Sequence, residues 1–215
     1  LHLLSRRQRQ MCIRDSMKYV KRVLLLLLAV LLIASTVIIM NGHKLYKSAI
    51  EEMSLEDKIE KIQSDPNYTP KEYIPAIYKN AVIAVEDHRY KEHGAIDIIS
   101  IGRAIWSNIR AGELNEGGST ITQQVAKNLY FITEDDFLSR KIAEIFVAMD
   151  LEKQYSKEDI LEFYMNTIYF GEGYYGIKEA ANGYYHKEPK DLSLYEATML
   201  AGVPNAPSVL SLIHI

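Results

Sequence analysis

The hydrophobic pattern divides the chain into one long apolar block and a series of shorter periodic segments. Val23 to Met40 is apolar apart from Ser35 and Thr36, and at about 1.5 Å per residue this run spans about 27 Å, close to a bilayer's hydrocarbon core. It is therefore expected to be a transmembrane helix. Lys18, Lys21 and Arg22 precede it, which predicts a cytoplasmic N-terminus and an external remainder. The run exceeds a usual signal-peptide core and ends without a small-x-small cleavage pattern, so an anchor is favoured over a cleaved signal.

Residues 44–64 read as a charged amphipathic helix or stalk ending at the Asp65-Pro66-Asn67 turn. Pro75 suits the start of a helix running to about Asp87. Asp97 is a candidate cap for the next, whose Ile98, Ile101, Ile105, Trp106 and Ile109 recur at helical spacing before Gly112. That stripe is expected to be core. A loop is expected over Glu113 to Gly118. Ser119 or Thr120 caps a helix to about Leu129, and Phe137 to Gln154 forms another, with Ile142, Ile145, Phe146 and Met149 on its predicted buried face. Ser156 with Asp159, and Ser193 with Glu196, have capping-box spacing. No convincing alternating strand or internal repeat is present, so the predicted fold class is mainly α.

Composition narrows the class. The 215 residues, 48% hydrophobic and 25% charged, suit one globular domain plus an appendage. A formal net charge of −3 gives no global basic signal, so nucleic acid is not expected as a partner. The single cysteine, Cys12, excludes an internal disulfide framework. Residues 1–16 lack a start methionine and a clear period, whereas Met17 opens a conventional pattern. They are read as a leader foreign to the domain.

The candidate chemistry begins at Ala81 to Asp97, AVIAVEDHRYKEHGAID. An apolar run there delivers Glu86 and Asp87 to a polar segment containing His93 and Asp97. A carboxylate so placed is open to partial desolvation, which makes Glu86 a candidate acid/base, although most such pairs are simply solvated. Gly117 to Gln124, GGSTITQQ, places hydroxyls and amides at a helix N-terminus that favours phosphate, with Lys127 further along. An ordinary capped helix has equal weight. Arg140 and Glu144 in RKIAE have i, i+4 spacing, for which a surface ion pair is the plainer reading.

Three apparent signals are rejected. Gly171 to Gly176 fits G-x-G-x-x-G but follows a helical segment, so a turn rather than a dinucleotide site is expected. His88 and His93 are too far apart in register for a helical zinc pair. A nucleophile-elbow signature is absent from the sequence.

Together the segments EDHRYKEHGAID (86–97), GGSTITQQ (117–124), RKIAE (140–144), ILEFYMNTIYFG (160–171) and LSLYEATMLAGVPNAPS (192–208) resemble the peptidoglycan glycosyltransferases. This family comprises monofunctional transglycosylases and the N-terminal modules of class A penicillin-binding proteins. The resemblance implies a lysozyme-like, two-lobed helical fold with a membrane-embedded jaw. It also implies the joining of lipid II to a growing glycan strand, with release of undecaprenyl diphosphate.

By this resemblance Glu86 is the general base, supported by Asp87, His93 and Asp97, and Glu144 assists at the donor diphosphate, directly or through a metal. Ser119, Thr120, Gln123, Gln124, Lys127, Arg140 and Lys141 are the implied substrate-binding positions. Mg²⁺ or Mn²⁺ is the implied cofactor, with no organic one. Implied partners are the bilayer, lipid II, the growing strand and other cell-wall synthesis proteins. The expected organisation is leader 1–16, stub and anchor 17–43, stalk 44–68, catalytic domain 69–210 shortened at its C-terminal end, and foreign tail 211–215. A lysozyme-like hydrolase and a noncatalytic cell-wall scaffold are the competing readings. Tyr90 replaces a usual Phe, His186 a usual Gly, and Asp135 and Asp136 stand where relatives often carry a basic residue.

Overall fold

The computed structural model describes residues 2–113 and 117–205, with only the backbone described for residues 2–18. Nine α-helices follow one another among the described residues, without a sheet: α1 (His2–Glu52), α2 (Leu55–Gln63), α3 (Ala76–Glu86), α4 (Ile98–Ala111), α5 (Ile121–Tyr130), α6 (Phe137–Gln154), α7 (Lys157–Thr167), α8 (Gly176–Tyr185) and α9 (Leu194–Gly202). The fold is mainly α, as the periodicity predicts. Expectations for residues 114–116 and beyond Asn205, including the tail, lie outside the described residues.

The helix starts follow from side chains that satisfy the otherwise unpaired N–H groups of a first turn. Asp97, Thr120, Asp136, Ser156 and Ser193 each accept a backbone N–H at the start of α4, α5, α6, α7 and α9. The last two complete capping boxes with Asp159 and Glu196. Asp136, unusual against the family pattern, is thus the cap of α6. At the other end of α4, Gly112 adopts a left-handed φ of 71°.

The core is built around α5 and α7. Ile121, Val125, Ala126 and Leu129 of α5 are buried, and α7 buries six consecutive residues, Ile160 to Met165. A helix apolar around most of its circumference belongs inside. α6 packs on α5, and α9 packs on α3. Between α7 and α8 the chain turns through Gly171, Glu172, Gly173 and Gly176, all with positive φ. A Cβ on Gly176 would lie 2.7 Å from the Asn166 carbonyl oxygen. The G-x-G-x-x-G sequence is therefore a turn.

The structure corrects two expectations. First, the α4 stripe is not core: Ile98 is 79% exposed, Trp106 69% and Ile109 73%, and Ala104 is the buried residue of that helix. Periodicity reveals an apolar face but not what covers it. Second, the core-facing residues of α6 are Ala143, Glu144, Val147, Ala148 and Leu151, while Met149 is exposed. Ile142 and Phe146 turn instead toward α1.

Residues 44–63 are helical apart from Met53 and Ser54. α1 continues to Glu52, Ser54 caps α2, and Leu55 and Ile59 enter the core with Leu45, Tyr46, Ala49 and Ile50 packed against it. The α1 backbone is helical from His2. One helix among the described residues, in its Tyr19–Glu52 part, is long and apolar enough to cross a membrane.

Candidate active site

Glu86 is the last residue of α3, and the buried Tyr78 and Val82 hold that helix against the core. Its Oε2 accepts a 2.8 Å hydrogen bond from Gln124 Nε2 of α5. The Asn205 side chain stands beside this carboxylate and favours its charged form. Oε1 is buried without a hydrogen-bond partner among the described residues. Burial pushes the Glu86 carboxyl above its ordinary pKa, the two amides pull part of the way back, and neighbouring Asp87 raises it again. The desolvation expected from the sequence is present.

Asp87 has a different task. It is buried, its Oδ1 lies 2.8 Å from His93 Nε2, and its Oδ2 accepts the Ile121 backbone N–H of α5 at 3.2 Å. The other His93 ring nitrogen, Nδ1, lies 2.7 Å from the Gly94 carbonyl oxygen. Asp97 accepts from Ile99 N at 3.0 Å and from Ser100 Oγ at 2.6 Å, with Arg89 Nε at 3.3 Å. These hydrogen bonds, then the Arg89 charge, hold its carboxyl below the ordinary range. Asp87, with His93 behind it, braces the loop after Glu86 against the start of α5, whereas Asp97 caps α4 and holds Arg89.

The positions expected to bind substrate fall into two groups. Thr120 and Gln123 are buried, and both donate to the Ala95 carbonyl at 3.0 Å. Their side chains tie α5 to the same loop. Ser119 is half-buried, and Lys127 is exposed on α5, three residues from Gln124 and hence on the helix face that meets Glu86.

On α6, the wholly buried Glu144 bonds Lys141 Nζ and lies 3.4 Å from Arg140 Nε. Arg140 also donates to the Glu134 carbonyl at 3.0 Å and lies over the Phe137 ring. A buried carboxylate thus fixes two partly exposed cations, a stronger arrangement than the surface pair suggested by spacing alone. α5 bonds Glu86 through Gln124 and packs on α6, the helix that carries these cations.

The donor sets suit a divalent ion poorly. Glu144 is already matched by two cations. The ligand atoms of Asp87, His93 and Asp97 lie within 4.8 Å of one another, but their lone pairs and N–H groups serve the contacts just described.

Asn205 was not singled out by the sequence. It is far from Glu86 along the chain and comes beside it through the packing of α9 on α3. Tyr78 and Tyr164, whose buried hydroxyls feel the Glu86 charge, resemble ordinary core aromatics in sequence.

The arrangement defines a helical domain with a desolvated carboxylate and fixed cations on neighbouring helices. Residues 54–214 match the transglycosylase family model, and the chain belongs to this family of peptidoglycan glycosyltransferases. It is 51% identical over 138 residues to penicillin-binding protein 1F of Bacillus subtilis, a match covering 64% of this chain and 19% of that protein. It is 48% identical over 134 residues to penicillin-binding protein 1A of Neisseria lactamica, covering 62% and 17% respectively. Penicillin-binding protein 1A of Pseudomonas aeruginosa is 47% identical over 135 residues, covering 63% of this chain and 16% of that protein. The matched stretch spans less than a fifth of each relative.

Proposed function

We propose that this chain polymerises lipid-linked disaccharides, adding lipid II to a growing glycan strand at the outer face of the cytoplasmic membrane. The observation that carries the reading is Glu86: a partly desolvated carboxylate with one free buried oxygen, held by amides from α5 and the end of the described chain. Glu86 accepts the proton of the acceptor sugar's 4-hydroxyl as that oxygen attacks C1 of the donor. The new C1–O bond forms as the C1–O bond to the diphosphate breaks, with inversion at C1. A diphosphate leaves without needing protonation, so the chemistry calls for cations more than for a strong acid.

Lys127, Arg140 and Lys141 supply that charge, and Glu144 fixes the latter two. Ser119 lines the same substrate path, while Thr120 and Gln123 act from beneath it. The basic residues before the apolar run support an N-terminus inside and the catalytic domain outside. The uncovered face of α4, with Trp106 at its centre, supports contact with the bilayer in which the substrate is dissolved. Other cell-wall synthesis proteins are partners in this reading.

A lysozyme-like hydrolase needs a second carboxyl able to protonate its leaving group. Glu144, spent on two cations, is a poor candidate. Incubating the full chain with lipid II should yield glycan polymer and free polyprenyl diphosphate. Release of soluble fragments from finished peptidoglycan, with no polymer from lipid II, would reverse the assignment.

A further inference from the structure

α1 and α6 lie side by side and run in the same direction. Gly42 is buried so closely against α6 that a Cβ there would sit 2.4 Å from Ile142 Cβ and 2.8 Å from the Ser139 carbonyl oxygen. Further along both helices, the Phe146 ring centroid lies 5.1 Å from that of His43 and 5.4 Å from that of Tyr46. Tyr46 then donates to Asp150 at 2.5 Å. Four rising contacts fix the register and leave little freedom to slide.

That register sets the end of the apolar run on α1 against a fixed point of α6. On α1 the apolar run ends at Met40, about 3 Å along the axis before Gly42. On α6, Arg140 and Lys141 lie between Ser139 and Ile142, the residues that meet Gly42. Before them come Phe137 and Leu138, 58% and 53% exposed, level with the end of the apolar run. Further along, α6 presents Asp150, which Tyr46 bonds, and α1 carries Lys44 and Lys47 on either side of that tyrosine. The change from apolar to charged on α1 therefore falls level with Arg140 and Lys141, while on α6 the exposed Phe137 and Leu138 are themselves preceded by Asp135 and the cap Asp136.

We propose that the docking of α1 on α6 is a depth gauge. It holds Arg140 and Lys141 where the diphosphate of a membrane-dissolved polyprenyl lipid emerges from the hydrocarbon, with Phe137 and Leu138 dipping beneath. Gly42, Tyr46, Ile142 and Phe146 are positioning residues in this device. The ligand assignment rests on the proposed function, whereas the height does not.

The test uses the full chain in phosphatidylethanolamine–phosphatidylglycerol vesicles, with Cys12→Ser and a fluorophore at Leu138→Cys. Four polar helix-forming residues inserted between Met40 and Asn41 lift the docked domain by ~6 Å relative to the apolar run. The same insertion between Met53 and Ser54 leaves the docking untouched. Gly42→Leu forces the two helices apart.

Quenching by lipids spin-labelled high on the acyl chain should be strong in the parent and in the Met53 insertion, and lost in the other two variants. Affinity for a C55 polyprenyl diphosphate in the same vesicles should fall about tenfold in those two, as the cations move by most of a Debye length. Unchanged quenching in the Met40 insertion would overturn the gauge, as would lost quenching with undiminished affinity. Failure of lipid II polymerisation in all proteins, with the quenching and affinity pattern intact, would instead refute the proposed function alone.

Discussion

At the scale of single residues, the proposed chemistry turns on how Glu86 is solvated. Gln124 lowers its pKa against the upward push of burial. Gln124→Leu should therefore move the acidic limb of the polymerisation pH profile to higher pH, measured as initial rate on lipid II. The same burial has a cost. A carboxyl whose folded-state pKa is raised stabilises the fold below its unfolded pKa, and that stability is lost as pH rises through the folded value. Glu86→Gln should thus melt above the wild type at pH 8, with the gap closing in acid, as calorimetry across pH would read. His186 offers a simpler case. It ends α8 with φ 53° and ψ 40°, a left-handed conformation that penalises a side chain. His186→Gly should stabilise the protein by about 1 kcal/mol in urea unfolding.

At the scale of elements, local rules decided where helices begin and long-range packing decided which faces are hidden. Ser156 closes a capping box at the head of the buried α7, so Ser156→Ala should cost about 1 kcal/mol of unfolding free energy. The caps at Asp97, Ser156 and Ser193 were legible because each is a contact within a few residues. The cover of α4 was not, since an amphipathic stripe reads the same against a protein core or a bilayer. Likewise, the burial of Thr120 and Gln123 against Ala95 joins segments remote in sequence, and no spacing announces it. Glu86 was legible as a candidate through its apolar run and motif, whereas its contact with Asn205 depends on α9 returning to α3. If α4 meets the membrane, Ile105→Asp with Ile109→Asp should weaken binding of the chain lacking residues 1–43 to vesicles, read by flotation, without lowering its melting temperature. That removal spares Lys44 onward, including the α1 segment packed on the core, though it sacrifices the Gly42 contact.

At the scale of the molecule, the fold sets one carboxylate beside α5 and two cations on α6, then joins α6 to the anchor. In the proposed reaction the acceptor sugar meets Glu86 and the donor's diphosphate meets the α6 cations, while the substrate's lipid shares the bilayer of the apolar helix. General-base catalysis is worth about 10²- to 10⁴-fold, so the carboxylate should be separable from the cations by experiment. The most direct measurement is a single round of glycan extension by Glu86→Gln in vesicles, alongside its affinity for polyprenyl diphosphate. The account predicts a rate lowered by at least about a hundredfold with affinity unchanged. Extension at a rate within about threefold of the wild type would contradict it, because a general base of that kind cannot be lost so cheaply.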